Sequence, residues 1–98
     1  MTHAQWRERW LPELDRGIAP YVDALREAGV ETFESCEGGD GHAYPQPTVR
    51  FGGGPGEGFR ALAVALEHVF PVRAVRRYWV VRDGEPHGPD WEMTFWPI

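Results

Sequence analysis

The chain has 98 residues with fifteen acids against ten bases, every base an arginine, for a formal net charge of −5. That length predicts one domain with a single modest core, and the acidic balance argues against broad nucleic-acid binding, which depends on neutralising phosphates. A hydrophobic share of 42% with five tryptophans argues against wholesale disorder, and a lone cysteine rules out an internal disulfide.

The opening MTHAQWRERW lacks the basic-then-apolar pattern of a secretory leader, and no apolar run approaches membrane-spanning length. The expectation is therefore a soluble, cytoplasmic protein without a membrane partner. Thr2 suits the cap of a short helix in which Trp6, Trp10 and Leu14 recur every four residues, with Pro12 as an interruption. Residues 1–17 thus read as a helical extension of a single domain, 1–98. Pro20 fits the first turn of the next helix, whose buried face would hold Tyr21, Val22, Leu25 and Ala28, and Gly29 supplies the stop.

Glu31 to Cys36 alternates as a strand, with Phe33 inward and Thr32, Glu34 and Cys36 on the opposite face. Gly38, Gly39 and Gly41 end it, and Tyr44-Pro45-Gln46-Pro47 returns the chain in an extended run. Thr48 to Phe51 predicts a second strand, Val49 and Phe51 inward and Arg50 outward. GGGPGEG connects it to a helix in which Phe59, Leu62, Ala63, Leu66 and Phe70 trace a buried stripe, closed by Pro71. Val72 to Arg82 reads as the third strand, Asp83 to Asp90 as a loop, and Trp91 to Trp96 as the last strand. Trp91, Met93 and Phe95 fall on one face of that strand, and Glu92, Thr94 and Trp96 on the other.

The order α-β-β-α-β-β predicts an α+β fold, a two-layer sandwich with helices over one face of a mainly antiparallel four-stranded sheet, in a permuted ferredoxin-like arrangement. The uncovered face would display Thr32, Glu34, Cys36, Arg50, Glu92, Thr94 and Trp96, joined by either Arg76 and Tyr78 or Arg77 and Trp79. Glu34 and Arg50 are placed to pair across strands.

The segment from Val30 to Phe51 collects most of the chemistry, and loops between rigid strands commonly carry binding groups. Cys36 with His42 is a candidate nucleophile pair, although Glu34 and Glu37 nearby disfavour a thiolate. Cys36, Asp40, His42 and Glu37 offer metal donors, but no paired C-x-x-C or H-x-x-x-H spacing exists, and His3, His68 and His87 are scattered, so no metal or cofactor is assigned. The glycine run before the second helix resembles an anion-binding turn without being a P-loop, because the chain has no lysine. G-x-S-x-G is also missing.

The run FESCEGGDGHAYPQPTVRF, with GFRAL and GPDWEMTF later, resembles a set of uncharacterised short proteins of bacteria and their phages, over roughly residues 29–96. The resemblance implies a phage-related context and a shared site around Ser35, Cys36, Glu37, Gly38, Gly39 and His42, and it supplies no reaction. A looser similarity joins the S-C-x-G turn to ferredoxin-like modules.

Three function classes follow. The first is a non-catalytic binding module that recognises a partner protein or small ligand through the 34–50 loop and the open face, using Glu34, Ser35, Cys36, Glu37, Gly38, Gly39, His42, Tyr44 and Arg50. The second is a Cys36/His42-dependent enzyme or metal-binding protein. The third is a structural unit that dimerises through the open face.

Overall fold

The computed structural model describes residues 17–39, 41–42 and 44–97, and the helix expected around Trp6, Trp10 and Leu14 lies outside the described residues. The elements are α1 (Ala19–Glu27), β1 (Thr32–Cys36), β2 (Thr48–Phe51), α2 (Glu57–Glu67), β3 (Val72–Arg82) and β4 (Glu85–Phe95). The strands form one sheet in the order β1-β2-β4-β3, with every pairing antiparallel. β2 and β3 both run opposite to β4 between them, so they are parallel to each other, and α2 makes the crossover that parallel strands require.

Both helices lie on one face. Ile18, Tyr21, Val22 and Leu25 from α1 and its cap, Ala61 and Ala65 from α2, and Val49, Phe51, Met93 and Phe95 from the sheet form the buried core. Tyr21 stacks on Phe95 at 4.1 Å and tilts against Phe70 at 4.6 Å, joining helix, sheet and the α2–β3 turn. Arg60 ties the helices together: its Nη1 donates to the Ala28 carbonyl at the end of α1, while its Nε reaches Glu57 at 2.6 Å.

The expected stripe on α2 is rotated. Gly58, Ala61 and Ala65 are its buried residues, while Phe59 and Leu66 are exposed. Small side chains let the helix approach the sheet closely: a Cβ on Gly58 would lie 2.4 Å from the Trp91 ring. Volume at the contact, rather than hydrophobic spacing, decided which face turned inward.

Two strand readings also change. β4 begins at Glu85, so Asp83-Gly84 is the whole turn, and six residues expected in a loop belong to the strand. Asp83 (φ 51) and Gly84 (φ 77) both have the left-handed backbone of a tight two-residue hairpin. Pro86 and Pro89 are tolerated because β2 pairs with β4 only from Trp91 onward, leaving that edge of the strand without a ladder to break. In β1 the register shifts between Thr32 and Glu34. Thr32 consequently sits on the helix side, its Oγ1 accepting from Arg26 Nε at 2.6 Å, and Phe33 is half-exposed rather than inward.

Both helices end with the same pair of backbone bonds, Val30 N to Leu25 O and Phe70 N to Ala65 O being the long members. This termination needs a left-handed residue, supplied after α1 by Gly29 (φ 87) but after α2 by Val69 (φ 58). A β-branched residue there carries about 1–2 kcal/mol of strain. Glycine would remove it at an entropic cost of up to ~1 kcal/mol. Val69→Gly is expected to stabilise the fold by about 0.5–1 kcal/mol, read as a melting temperature raised by a few degrees. A lower melting temperature would show that Val69 is not strained.

Candidate functional site

The register fixes the uncovered face. Glu34 stands opposite Arg50, Arg50 opposite Glu92, and Glu92 opposite Arg76, so one row of alternating charge crosses all four strands. Arg50 Nη1 lies 3.1 Å from Glu34, Arg50 Nε 2.9 Å from Glu92, and Arg76 Nε 2.7 Å from the other Glu92 oxygen. Glu92 is only 3% exposed, and both its oxygens are engaged. Of the two alternations open for β3, this face takes Arg76 and Tyr78.

Arg50 is held from above as well. Its guanidinium sits 4.8 Å from the Tyr44 ring and 4.6 Å from the Tyr78 ring, and Tyr44 Oη donates to Glu34 at 2.5 Å. Tyr44 reaches this position because the glycine loop folds back over the sheet, and Cys36 and Thr48 are buried. The fold-back brings Gly38 (φ 83) against the returning chain, where a Cβ would lie 2.4 Å from the Gln46 carbonyl carbon. Only glycine fits there.

Burial raises the Tyr44 hydroxyl well above its ordinary value, reinforced by the bond to Glu34 and that carboxylate's charge and only partly opposed by Arg50. Tyr78 is also raised, by burial, against the opposing charge of Arg50. Burial would lower Arg50, but its bond to Glu92 and the nearby tyrosines outweigh this, and the net shift is upward. The row sets two arginines against two carboxylates, so its formal charges cancel within the molecule.

A depression of about 340 Å³ opens beside the row, where the long β3–β4 hairpin faces β1. Glu34 and Arg50 form one side, Phe33, Tyr78 and Val80 supply apolar surface, and Arg82, His87 and Asp90 supply polar groups. A smaller hollow of about 180 Å³ lies at the other end of the face, bordered by Gln46, Arg73, Arg76 and Thr94. The Thr94 hydroxyl is buried with no hydrogen-bond partner among the described residues.

The residues expected to form a site divide. Glu34, Tyr44 and Arg50 come together on the open face. Glu37, Gly38 and Gly39 border a separate groove with Gly17, Pro45, Pro47 and Pro97, and Glu37 accepts from the Gly17 backbone N–H at 3.2 Å. Ser35 pairs with inward-facing Val49. Cys36 is buried, and its Sγ accepts the Gly38 N–H at 3.4 Å. His42 is exposed, 3.7 Å from Glu37. Among the described residues, no three His, Cys, Asp or Glu side chains gather in a group able to hold a metal ion.

Comparison with family models, curated proteins and solved structures finds no match. The site therefore stands on its own geometry. Sequence reading overlooked Phe33, Val80, Arg82, His87 and Asp90 as site residues. The signal that places the last four is Asp83-Gly84 as a two-residue hairpin turn, which aligns β3 against β4 beyond the end of β2.

All three tyrosines are raised from the ordinary value of about 10, Tyr21 by burial alone. A raised tyrosine favours folding below the unfolded value and loses that contribution as pH climbs toward the folded one. Spectrophotometric titration is expected to place the tyrosine midpoints of the folded protein above the free value of about 10, with stability declining above that pH. Tyr44→Phe is expected to lessen the decline. Tyr44 or Tyr78 titrating at or below the free value would contradict the packing around Arg50.

Proposed function

We propose that the protein is a small non-catalytic binding module whose uncovered sheet face recognises a partner protein or small ligand. The observation that carries this reading is the open-face depression beside a pre-arranged wall: Arg50 is immobilised by two carboxylates and two aromatic rings, while Phe33, Tyr78, Arg82, His87 and Asp90 remain facing the space. Concave surfaces that combine apolar floor with a few placed polar groups are the usual form of a ligand site. The internal neutralisation of the charged row gives it an orienting role, leaving Arg82, His87 and Asp90 to make new polar contacts.

The sequence run that carries the resemblance to short phage proteins contributes Phe33, Glu34 and Arg50 to this space, which supports a common binding role for that run. The strand order β1-β2-β4-β3 likewise supports a permuted ferredoxin-like description.

The test is a chemical-shift titration of isotope-labelled protein with a panel of small carboxylates, amines and short aromatic peptides. Binding probes are expected to perturb Phe33, Tyr78, Val80 and His87, and Arg82→Ala, at a side chain with no hydrogen bond or ion pair among the described residues, is expected to weaken binding about tenfold, near 1.4 kcal/mol. Probes that perturb only the groove at Gly38 and Gly39, or that bind Arg82→Ala as well as the unmodified protein, would overturn the proposal.

A further inference from the structure

Among the described residues the sheet has two edge strands without a second neighbour, and they carry opposite charge. β1 is one edge, and residues 31–37 contain Glu31, Glu34 and Glu37 without a base. β3 is the other, with Arg73, Arg76, Arg77 and Arg82 and no acid. An edge strand presents a row of backbone donors and acceptors ready to pair with another chain.

The arginines are available. Arg73 rests on the Trp96 ring at 5.5 Å and Arg77 on the Trp91 ring at 5.2 Å, with Arg77 also reaching the Gly53 carbonyl. Neither has a carboxylate partner among the described residues, nor does Arg82. Arg76 is 67% exposed while bound to Glu92, and Glu34 is 46% exposed while bound to Arg50, so each still presents charge outward. Glu31 is exposed.

Like charges directly opposite one another across strands are destabilising and unlike charges favourable. Joining β3 to β3 of a second copy would bring two arginine-rich edges together, and joining β1 to β1 two acidic ones. Only β1 against β3 matches. We propose that copies of this chain associate head to tail, the acidic β1 edge of one adding to the basic β3 edge of the next.

β1 has five residues against eleven in β3, so each junction extends the sheet over about half of β3, roughly 17 Å. Such a contact is heterologous: each copy keeps one unused edge of each sign, and growth ends only if the rotation closes a ring. The pairing is argued from backbone edges and their charge, so this inference does not rest on the ligand reading, although Glu34 and Arg82 also border the open-face depression.

The experiment is sedimentation velocity over a concentration series, with circular dichroism to verify folding. The unmodified protein is expected to populate species larger than a dimer as concentration rises. Arg73→Glu and Glu31→Arg are each expected to weaken association at least about threefold when tested alone. An equimolar mixture of the two variants is expected to regain association, because each supplies the edge the other has lost. Arg73→Gln, which removes the charge and keeps a long polar side chain, replaces Arg73→Glu if the latter lowers stability. A strict monomer at every concentration, indifference to Glu31→Arg, or no recovery on mixing would overturn the proposal.

Discussion

A carboxylate that is only 3% exposed must be fully compensated, because an ionised group removed from water without partners costs several kcal/mol. Glu92 meets that requirement by taking Arg50 from β2 on one oxygen and Arg76 from β3 on the other. The requirement is also a constraint on register. A slip of one residue in β2 would put Val49 or Phe51 where Arg50 stands and leave one Glu92 oxygen without its partner, whereas in β3 the adjacent Arg77 makes the constraint looser. Arg50 passes the constraint onward, since Glu34 and Tyr44 fasten β1 and the glycine loop to the same guanidinium. One buried charge in the middle of β4 thus ties together side chains from all four strands and from the loop over them.

The two layers divide the work between them. On the helix side, Gly58, Ala61 and Ala65 bring α2 close to the sheet, and Phe51, Met93 and Phe95 fill the core. Apolar burial there is non-directional and favours compactness without naming a register. On the uncovered side, charged pairs and rings above Arg50 are directional and choose one arrangement. The same directionality leaves a shaped depression beside the row and leaves both sheet edges with an unbalanced sign.

Much of the fold was legible because its elements obey local rules. Gly29 ended α1, Pro71 preceded β3, and alternation in Thr48–Phe51 and Trp91–Phe95 gave the correct inward faces. Errors arose where a longer-range contact overrode the local pattern. The α2 stripe was misread because close approach to Trp91 selected small residues. The start of β4 was misread because prolines and a glycine on an unpaired edge look like a loop in one dimension. Phe33 was misread because a register shift in β1 depends on β2. As for the site, the Glu34–Arg50 pair followed from alternation alone. The gathering of Phe33, Tyr78, Arg82, His87 and Asp90 required knowing that the β3–β4 hairpin extends past β2.

The coupling between Arg50 and Glu92 tests this account most directly. A double-mutant cycle with Arg50→Met and Glu92→Gln, read by denaturant unfolding, isolates the pair from whatever each residue does separately. Because one partner is buried, the weak energetics of surface pairs do not apply, and each single change is expected to cost about 2–3 kcal/mol with a coupling of at least ~1.5 kcal/mol. Additive effects, with coupling within about 0.5 kcal/mol of zero, would mean that the charged row does not hold the sheet in register.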